Sequence, residues 1–219
     1  MPRSRKIFLQ QIYQKLLKKF GPQFWWPAPT RFEVIIGAIL TQNTNWANVE
    51  KALTVLKDKR LLSPQALYKI TPRQLASCIK PAGYFNVKAK RIKNFIRFLF
   101  EVHEGKIEKM RQEKPENLRS QLLCVNGIGA ETADSILLYA LDKPFFVVDA
   151  YTKRILSRHG IISPDADYAT IQQLFMTSLR KNLKVFNEYH ALIVRCAKEY
   201  CKKKPLCEGC PLEDLSKTL

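Results

Sequence analysis

Apolar residues recur at helical spacing along most of the chain, and alternation of apolar and polar residues nowhere extends beyond four residues. Ser63-Pro64 and Thr71-Pro72 each look like an N-cap followed by proline at the first helical position, so each should start a short helix. Residues 105–114 are charged and lack a strong apolar pattern, and we expect a loop there. The spacing predicts longer helices over residues 7–20, about 32–40, about 46–58, 87–103, from 115 to about 123, about 150–159, about 168–180 and about 184–200. The predicted fold class is all-α.

A tight glycine turn interrupts this pattern at Val125-Asn126-Gly127-Ile128-Gly129, between two predicted helices. Glycines permit backbone torsions and close approaches that residues with a Cβ disfavour. A turn that feeds a helix N-terminus points backbone N–H groups outward at the positive end of the dipole, where a phosphate can bind. The turn is either an ordinary helix–helix connection or a phosphate site whose candidate residues are Asn126, Gly127, Gly129 and Ala130.

Asp149 follows the four apolar residues Phe145 to Val148 and precedes another predicted helix. This is the position of an N-cap. A carboxylate about twenty residues after the glycine turn is either an ordinary cap or a functional group, and the pairing of the two features favours function.

The chain has 37 Lys and Arg against 19 Asp and Glu, a net charge of +18 over 219 residues. Such a charge bears on partners more than on fold. Nucleic acid is the first candidate partner and an anionic membrane surface the second, although the protein could simply be basic and soluble. No apolar run approaches the roughly 20 residues that span a bilayer. We expect no membrane partner and a cytoplasmic, nucleoid-associated protein.

Two regions have features that are typical of nucleic-acid binding but that also have an ordinary structural explanation. Phe24-Trp25-Trp26 runs into Pro27, and Trp46 follows a polar stretch that includes Gln42. These aromatics either form a hydrophobic plug or offer faces on which bases stack. We expect one side of the predicted helix 87–103 to be exposed. That side is either an ordinary solvated face or a surface that binds a DNA backbone. Its basic residues are Lys88, Lys90, Arg91, Lys93 and Arg97.

Four of the six cysteines, Cys196, Cys201, Cys207 and Cys210, lie within fifteen residues near the end of the chain. Short flexible spacings let thiolates converge on one metal centre, and four thiolates suit zinc or a 4Fe–4S cluster equally by count. Cys78 and Cys124 lie in apolar surroundings and are expected to be core residues.

The motifs together resemble the endonuclease III superfamily of DNA glycosylases. The resemblance rests on Leu123–Leu137, with Gly127-Ile128-Gly129 and Thr132-Ala133, followed by Val147-Val148-Asp149. It implies a helix–hairpin–helix fold with two lobes that bind damaged double-stranded DNA, and the sequence offers no dimerisation signal, so we expect a monomer. One lobe would span residues 31–135, and the other would combine 1–30 with 136–219, including an iron–sulfur loop at 196–210.

Glu131 departs from the bifunctional members of this superfamily, which carry a lysine two residues after the second hairpin glycine. A carboxylate cannot form the Schiff base that strand cleavage needs. The resemblance therefore implies a monofunctional glycosylase in which Asp149 is the catalytic carboxylate, stabilising an oxocarbenium-like sugar or activating water.

The cysteine tail also departs from the family spacing of Cys-x6-Cys-x2-Cys-x5-Cys. The first gap here is five residues, and Ser216 stands at the position of the last cysteine. Cys196, one helical turn before Cys201, is the natural replacement. The expected cluster ligands are Cys196, Cys201, Cys207 and Cys210.

A closer resemblance concerns the substrate. The segments around Trp25-Trp26-Pro27, Leu40–Thr44 and Lys80–Tyr84 are similar to bacterial 3-methyladenine DNA glycosylases of this superfamily. The resemblance implies a base pocket of Trp26, Pro27 and Trp46, with Glu131 nearby and Gln42 filling the gap left by the extruded nucleotide.

The sequence is also compatible with other hypotheses. The released base could instead be uracil or thymine in a mismatch, hypoxanthine, or an oxidised base, with lyase activity from another lysine. A protein that binds DNA structure without catalysis is the alternative of another class.

Overall fold

The computed structural model describes residues 3–26 and 28–217, and within those ranges it contains helices, turns and loops but no strand, which confirms the all-α prediction. A π-helical turn spans Ile136–Ala140, and 3₁₀ turns span Lys80–Ala82 and Glu213–Lys217. The α-helices are α1 Arg3–Phe20, α2 Arg31–Leu40, α3 Trp46–Asp58, α4 Pro64–Lys69, α5 Pro72–Cys78, α6 Phe85–His103, α7 Ile107–Gln112, α8 Pro115–Cys124, α9 Ala130–Ser135, α10 Ala150–Arg158, α11 Tyr168–Ser178 and α12 Leu183–Glu199. None of the helices in the described ranges has the length and apolar character to cross a membrane.

Side-chain caps begin several of these helices where the sequence placed them. Ser63 Oγ accepts a hydrogen bond from Ala66 N at 3.2 Å, and Thr71 forms a reciprocal capping box with Gln74. These bonds satisfy backbone N–H groups that have no partner inside the helix, so the starts of α4 and α5 are fixed by local chemistry.

Three expectations from the sequence are wrong. Residues 107–112 form the short helix α7 rather than a loop, anchored by the fully buried Met110. Lys88 is buried rather than exposed, because its ammonium donates to the carbonyl oxygens of Leu40 at 2.8 Å and Ala82 at 2.7 Å. Cys124 is exposed, whereas Cys78 is buried as expected.

The chain divides into two compact units. The first unit, Met1–Trp25 with Pro144–Leu219, has an aromatic core in which the Phe146 and Phe175 rings stack at 3.7 Å. The second unit, Trp26–Lys143, is organised around α2, of which every residue from Phe32 to Leu40 is buried. The lobe limits expected from the sequence stay a prediction.

Candidate active site and metal centre

The glycine turn joins α8 to α9 as a tight hairpin. Gly127 has φ +98°, a backbone conformation that L side chains rarely adopt, and Ile128 N donates to Val125 O at 2.9 Å to close the turn. Val125 and Ile128 are buried, whereas Asn126 and Gly129 are exposed. The apolar residues therefore anchor the hairpin, while Asn126 and Gly129 face solvent and Gly127 is half-buried.

Gln42 in the turn after α2 and Arg91 on α6 hold this hairpin in place, and an ion pair links its two helices. Gln42 Nε2 donates to Gly127 O at 3.0 Å and to Thr132 Oγ1 at 2.9 Å, while the Gln42 carbonyl accepts from Arg91. A bidentate ion pair joins Arg119 on α8 to the fully buried Asp134 on α9, with N···O distances of 2.7 and 3.0 Å. Gln42, assigned to the site from the sequence, lies in this network against the hairpin.

An aromatic cluster lies over α2 in the same unit. The indoles of Trp26 and Trp46 meet edge to face, with ring centroids 5.0 Å apart and an interplanar angle of 87°. Both rings approach Gly37, where a Cβ would come within 3.4 Å of Trp26 and 3.6 Å of Trp46. The structure thus brings Trp26 and Trp46 together, and Pro27 lies outside the described residues.

Tyr139 completes this cluster and was missed from the sequence. Its ring centroid lies 5.3 Å from that of Trp26. Tyr139 belongs to the π-helical turn Ile136–Ala140, which continues α9, and such turns are frequent at functional sites. The apolar run Ile136 to Ala140 offers no signal for this contact, because a π turn changes which side chains face a neighbour.

Glu131 is the second residue of α9 and is exposed. According to the resemblance described above, bifunctional members of the superfamily carry their lysine at this position. The structure places it one residue after Ala130 at the start of the hairpin's second helix.

Asp149 caps α10, as the sequence predicts. Its Oδ1 accepts hydrogen bonds from Thr152 N at 2.7 Å and from Thr152 Oγ1 at 2.9 Å, and its Oδ2 lies 3.5 Å from His190 Nε2. Burial acts to raise the pKa of Asp149, but the interactions with His190 and Thr152 outweigh it and lower the pKa below its ordinary value. The carboxylate is thus held ionised in a largely buried position.

His190 lies in the middle of α12 and is buried. A single histidine on an apolar helix face is usually a core residue, so the sequence carried no signal for its place beside Asp149. The pairing appears only once α12 packs against α10.

The four cysteines of the tail share one cavity of about 280 Å³ in the first unit. Cys196 and Cys201 are buried, Cys210 is half-buried and Cys207 is exposed. The hydrogen bond between Cys196 and Cys210, with burial, raises the pKa of the Cys196 thiol, and the same bond lowers the pKa of Cys210 to about 7. Among the described residues, no group of three or more His, Cys, Asp or Glu side chains lies close enough together to hold a metal ion.

Two arginines of α10 hold the start of the cysteine loop. Arg158 donates to Cys201 Sγ at 3.2 Å and to Lys202 O at 2.6 Å, and Arg154 Nε donates to Cys201 O at 2.7 Å. These bonds turn the carbonyls of the loop inward, and the side chains of Lys202 and Lys203 remain exposed. The loop is therefore fixed on the same helix that Asp149 caps.

Comparisons with known proteins agree with this architecture. A protein of Methanocaldococcus jannaschii that carries the provisional name of DNA repair glycosylase is 48% identical over 216 residues, covering 98% of each chain. The structure of a Helicobacter pylori 3-methyladenine DNA glycosylase bound to 1,N6-ethenoadenine matches with a TM-score of 0.76 and 30% identity, over 89% of this chain and 97% of that one.

The fold is also that of endonuclease III. A non-covalent complex of endonuclease III with DNA matches with a TM-score of 0.83 at 22% identity, over 96% of this chain and 94% of that one. The HhH-GPD superfamily, described as base excision DNA repair proteins, matches residues 36–181, which include the hairpin and Asp149. The chain therefore belongs to the HhH-GPD superfamily of base excision DNA repair proteins.

Proposed function

We propose that this DNA glycosylase releases alkylated purines from damaged double-stranded DNA by hydrolysis, without cleaving the strand. The observation that carries the proposal is the edge-to-face pair of Trp26 and Trp46. Purines alkylated at N3 or N7 are cationic, and an electron-rich aromatic pocket attracts them with cation–π energy of roughly 0.5–2 kcal/mol. A normal base is uncharged and gains less.

The aromatic cluster would favour a cationic base over a neutral one, which a general hydrophobic surface would not do. The ring centroids of Trp46 and Tyr139 lie 5.0 and 5.3 Å from that of Trp26, and both indoles pack close to Gly37 of α2. Pro27 remains part of the predicted pocket. The Helicobacter pylori glycosylase, whose name gives 3-methyladenine as its substrate, is similar over 89% of this chain and adds support.

Asp149 is the proposed catalytic residue. Its lowered pKa keeps it anionic at neutral pH, where a negative charge stabilises an oxocarbenium-like sugar or orients water for attack on C1′. An alkylated purine already carries a positive charge, so it departs neutral with the electrons of the C1′–N bond and needs no strong acid.

Glu131 supports the monofunctional assignment. A carboxylate cannot attack the sugar as an amine, so the Schiff base required for β-elimination cannot form at this position. We further propose that Asn126, Gly127, Gly129 and Ala130 contact the DNA backbone through the hairpin. Gln42, whose amide lies against the hairpin, is proposed to act in extrusion of the nucleotide.

The cysteine tail is proposed to hold a 4Fe–4S cluster, with zinc as the alternative metal. Cys196, Cys201, Cys207 and Cys210 fit this role because all four line a single cavity with apolar walls that include Ile155 and Leu212. When bound, such a cluster would cross-link and stabilise a loop that has few buried apolar residues. Arg158 donates a hydrogen bond to Cys201 Sγ, a contact that would support this sulfur as a metal ligand.

The test is base release from duplexes that each carry one lesion, assayed with and without later alkali. We expect free methylated adenine, with strand breaks appearing only after alkali. Release of uracil, hypoxanthine or an oxidised base instead would overturn the assignment of the pocket, and release of no base would favour a non-catalytic DNA-binding protein. A covalent adduct trapped on abasic DNA with borohydride would overturn the monofunctional assignment.

A further inference from the structure

The two oxygens of the Asp149 carboxylate have different surroundings. Oδ1 accepts two hydrogen bonds from Thr152, one from the backbone N–H and one from the hydroxyl. Oδ1 is therefore committed to capping α10, and Oδ2 is the oxygen that remains to act on a sugar or a water molecule. The direction in which Oδ2 points depends on what lies beside it.

His190 is the residue beside Oδ2. Its Nε2 lies 3.5 Å from that oxygen, at the outer limit of a hydrogen bond, and the His190 side chain is only 8% exposed. The Phe146 ring meets the imidazole edge to face with centroids 6.5 Å apart. The neighbouring Tyr189 anchors this part of α12, since its hydroxyl donates to Leu9 O at 2.7 Å.

A buried carboxylate needs donors to stay ionised. Burial acts to raise the pKa of Asp149, and the interaction with His190 is foremost among those that lower it. The Thr152 bonds also contribute, but they act on Oδ1 alone. Both residues therefore help to keep the carboxylate ionised, but of the two only the imidazole lies beside Oδ2 and can fix its direction.

We propose that His190 is a positioning residue that orients Oδ2 of Asp149 toward the reacting sugar by donating from Nε2. This inference rests on the proposed function of Asp149 as the carboxylate that stabilises the oxocarbenium-like sugar. In this role His190 acts only through Asp149: it contacts neither the base nor the sugar and transfers no proton.

The experiment compares binding of the full-length protein to two duplexes, one with a cationic pyrrolidine analogue of the abasic sugar and one with an uncharged tetrahydrofuran analogue. The ratio of the two Kd values reports the negative field at the sugar and requires no knowledge of the lesion. The variants are His190→Gln, whose amide nitrogen approximates the position of Nε2, and His190→Leu, which lacks a donor. His190→Asn is shorter, and its amide does not reach Oδ2.

We expect the native protein to prefer the cationic analogue and His190→Gln to retain most of that preference. The Leu and Asn variants should lose about tenfold of it, the factor expected when one hydrogen bond to a charged group is removed. Affinity for the uncharged analogue should change by less than about threefold, which a general loss of structure would not allow. If His190→Leu does not fold, the Gln and Asn variants decide the question.

Failure of the inference and failure of the proposed function give different results. A native protein without any preference for the cationic analogue would overturn the catalytic role of Asp149 and, with it, the role of His190. A native preference that survives in His190→Leu, or in His190→Asn if the Leu variant does not fold, would overturn the role of His190 alone. A second check is non-additivity: in an Asp149→Asn background, His190→Leu should cause no further loss of preference.

Discussion

The side-chain amide of Gln42 donates a hydrogen bond to the carbonyl oxygen of Gly127, 85 residues later in the chain, at 3.0 Å. The same amide reaches Thr132 Oγ1, and its carbonyl accepts from Arg91. One side chain thus connects the turn after α2, helix α6 and the hairpin. These bonds hold the hairpin in one conformation, which would favour the proposed contact with the DNA backbone, because ordering the hairpin on binding would cost affinity.

The two hairpin glycines should respond differently to alanine. A Cβ on Gly127 would lie 2.3 Å from Arg91 Cγ, and its φ of +98° disfavours L residues. Backbone strain alone should therefore make Gly127→Ala less stable by about 1–3 kcal/mol, and the contact with Arg91 should add to this loss. Denaturant unfolding measures this change in the free energy of unfolding.

Gly129→Ala is the matched control for that substitution. A methyl group added there would meet no atom of another part of the chain within 4 Å, and the φ of Gly129 is −87°. Gly129 is the N-cap of α9, where alanine is poorer than glycine, but alanine also lowers the entropy of the unfolded chain. The two effects oppose each other, so the free energy of unfolding should change by less than about 1 kcal/mol. Duplex binding should nevertheless weaken if the exposed turn meets the DNA backbone. Unchanged binding by Gly129→Ala would count against that contact.

Asp149→Asn should remove base release without unfolding the protein. Asparagine caps helices as well as aspartate does, so the bond to Thr152 N survives while the negative charge is lost. We expect the single-turnover rate of base release to fall by about a hundredfold or more, with duplex affinity largely retained.

Asp167→Asn serves as the control for this charge removal. Asp167 caps α11 with the same geometry, its Oδ1 accepting from Thr170 N at 2.7 Å. The Asp167 variant should release base at the native rate. Equal losses in both variants would point to general damage from altered caps rather than to catalysis by Asp149.

Trp46→Leu should impair release of a cationic base more than release of an uncharged one. Loss of one aromatic face removes roughly 0.5–2 kcal/mol of cation–π energy, which corresponds to about a 2- to 30-fold decrease in rate for the alkylated purine. Trp46→Phe should fall between Leu and the native protein. Equal effects on charged and uncharged lesions would contradict the selective role of the pocket.

Cys196→Ser should lower the metal content of the purified protein if Cys196, as proposed, replaces the ligand missing at Ser216. Iron and zinc per chain, together with visible absorbance, provide the measurement. Cys124→Ser is the matched control, since Cys124 is an exposed thiol that does not line the cavity. Full metal content in Cys196→Ser would show that another group completes the set. If the tail holds the proposed metal centre, treatment of the native protein with a chelator should also lower its Tm.

Much of the fold could be predicted from the sequence because helix formation and capping are local. The apolar spacing of α3 predicted its residues, and Ser63, Thr71 and Asp149 predicted where α4, α5 and α10 begin, since each cap bonds a backbone group only three residues away. Gly127 predicted the hairpin for the same reason, because its torsion is a property of one residue. The basic charge predicted a nucleic-acid partner without reference to the fold.

Contacts between distant segments were decided by the tertiary structure alone. Lys88 belongs to a basic run in the sequence, yet it is buried because the carbonyl ends of two other helical segments meet its ammonium. Tyr139 reaches Trp26 through a π turn, and His190 reaches Asp149 through the packing of α12 against α10. Local residue patterns set backbone conformation, whereas the partners of a polar side chain depend on which helices share a core. The sequence by itself therefore determined most of the helices, the hairpin and the candidate carboxylate, whereas α7 and the residues that surround and orient the site were decided only by the tertiary structure.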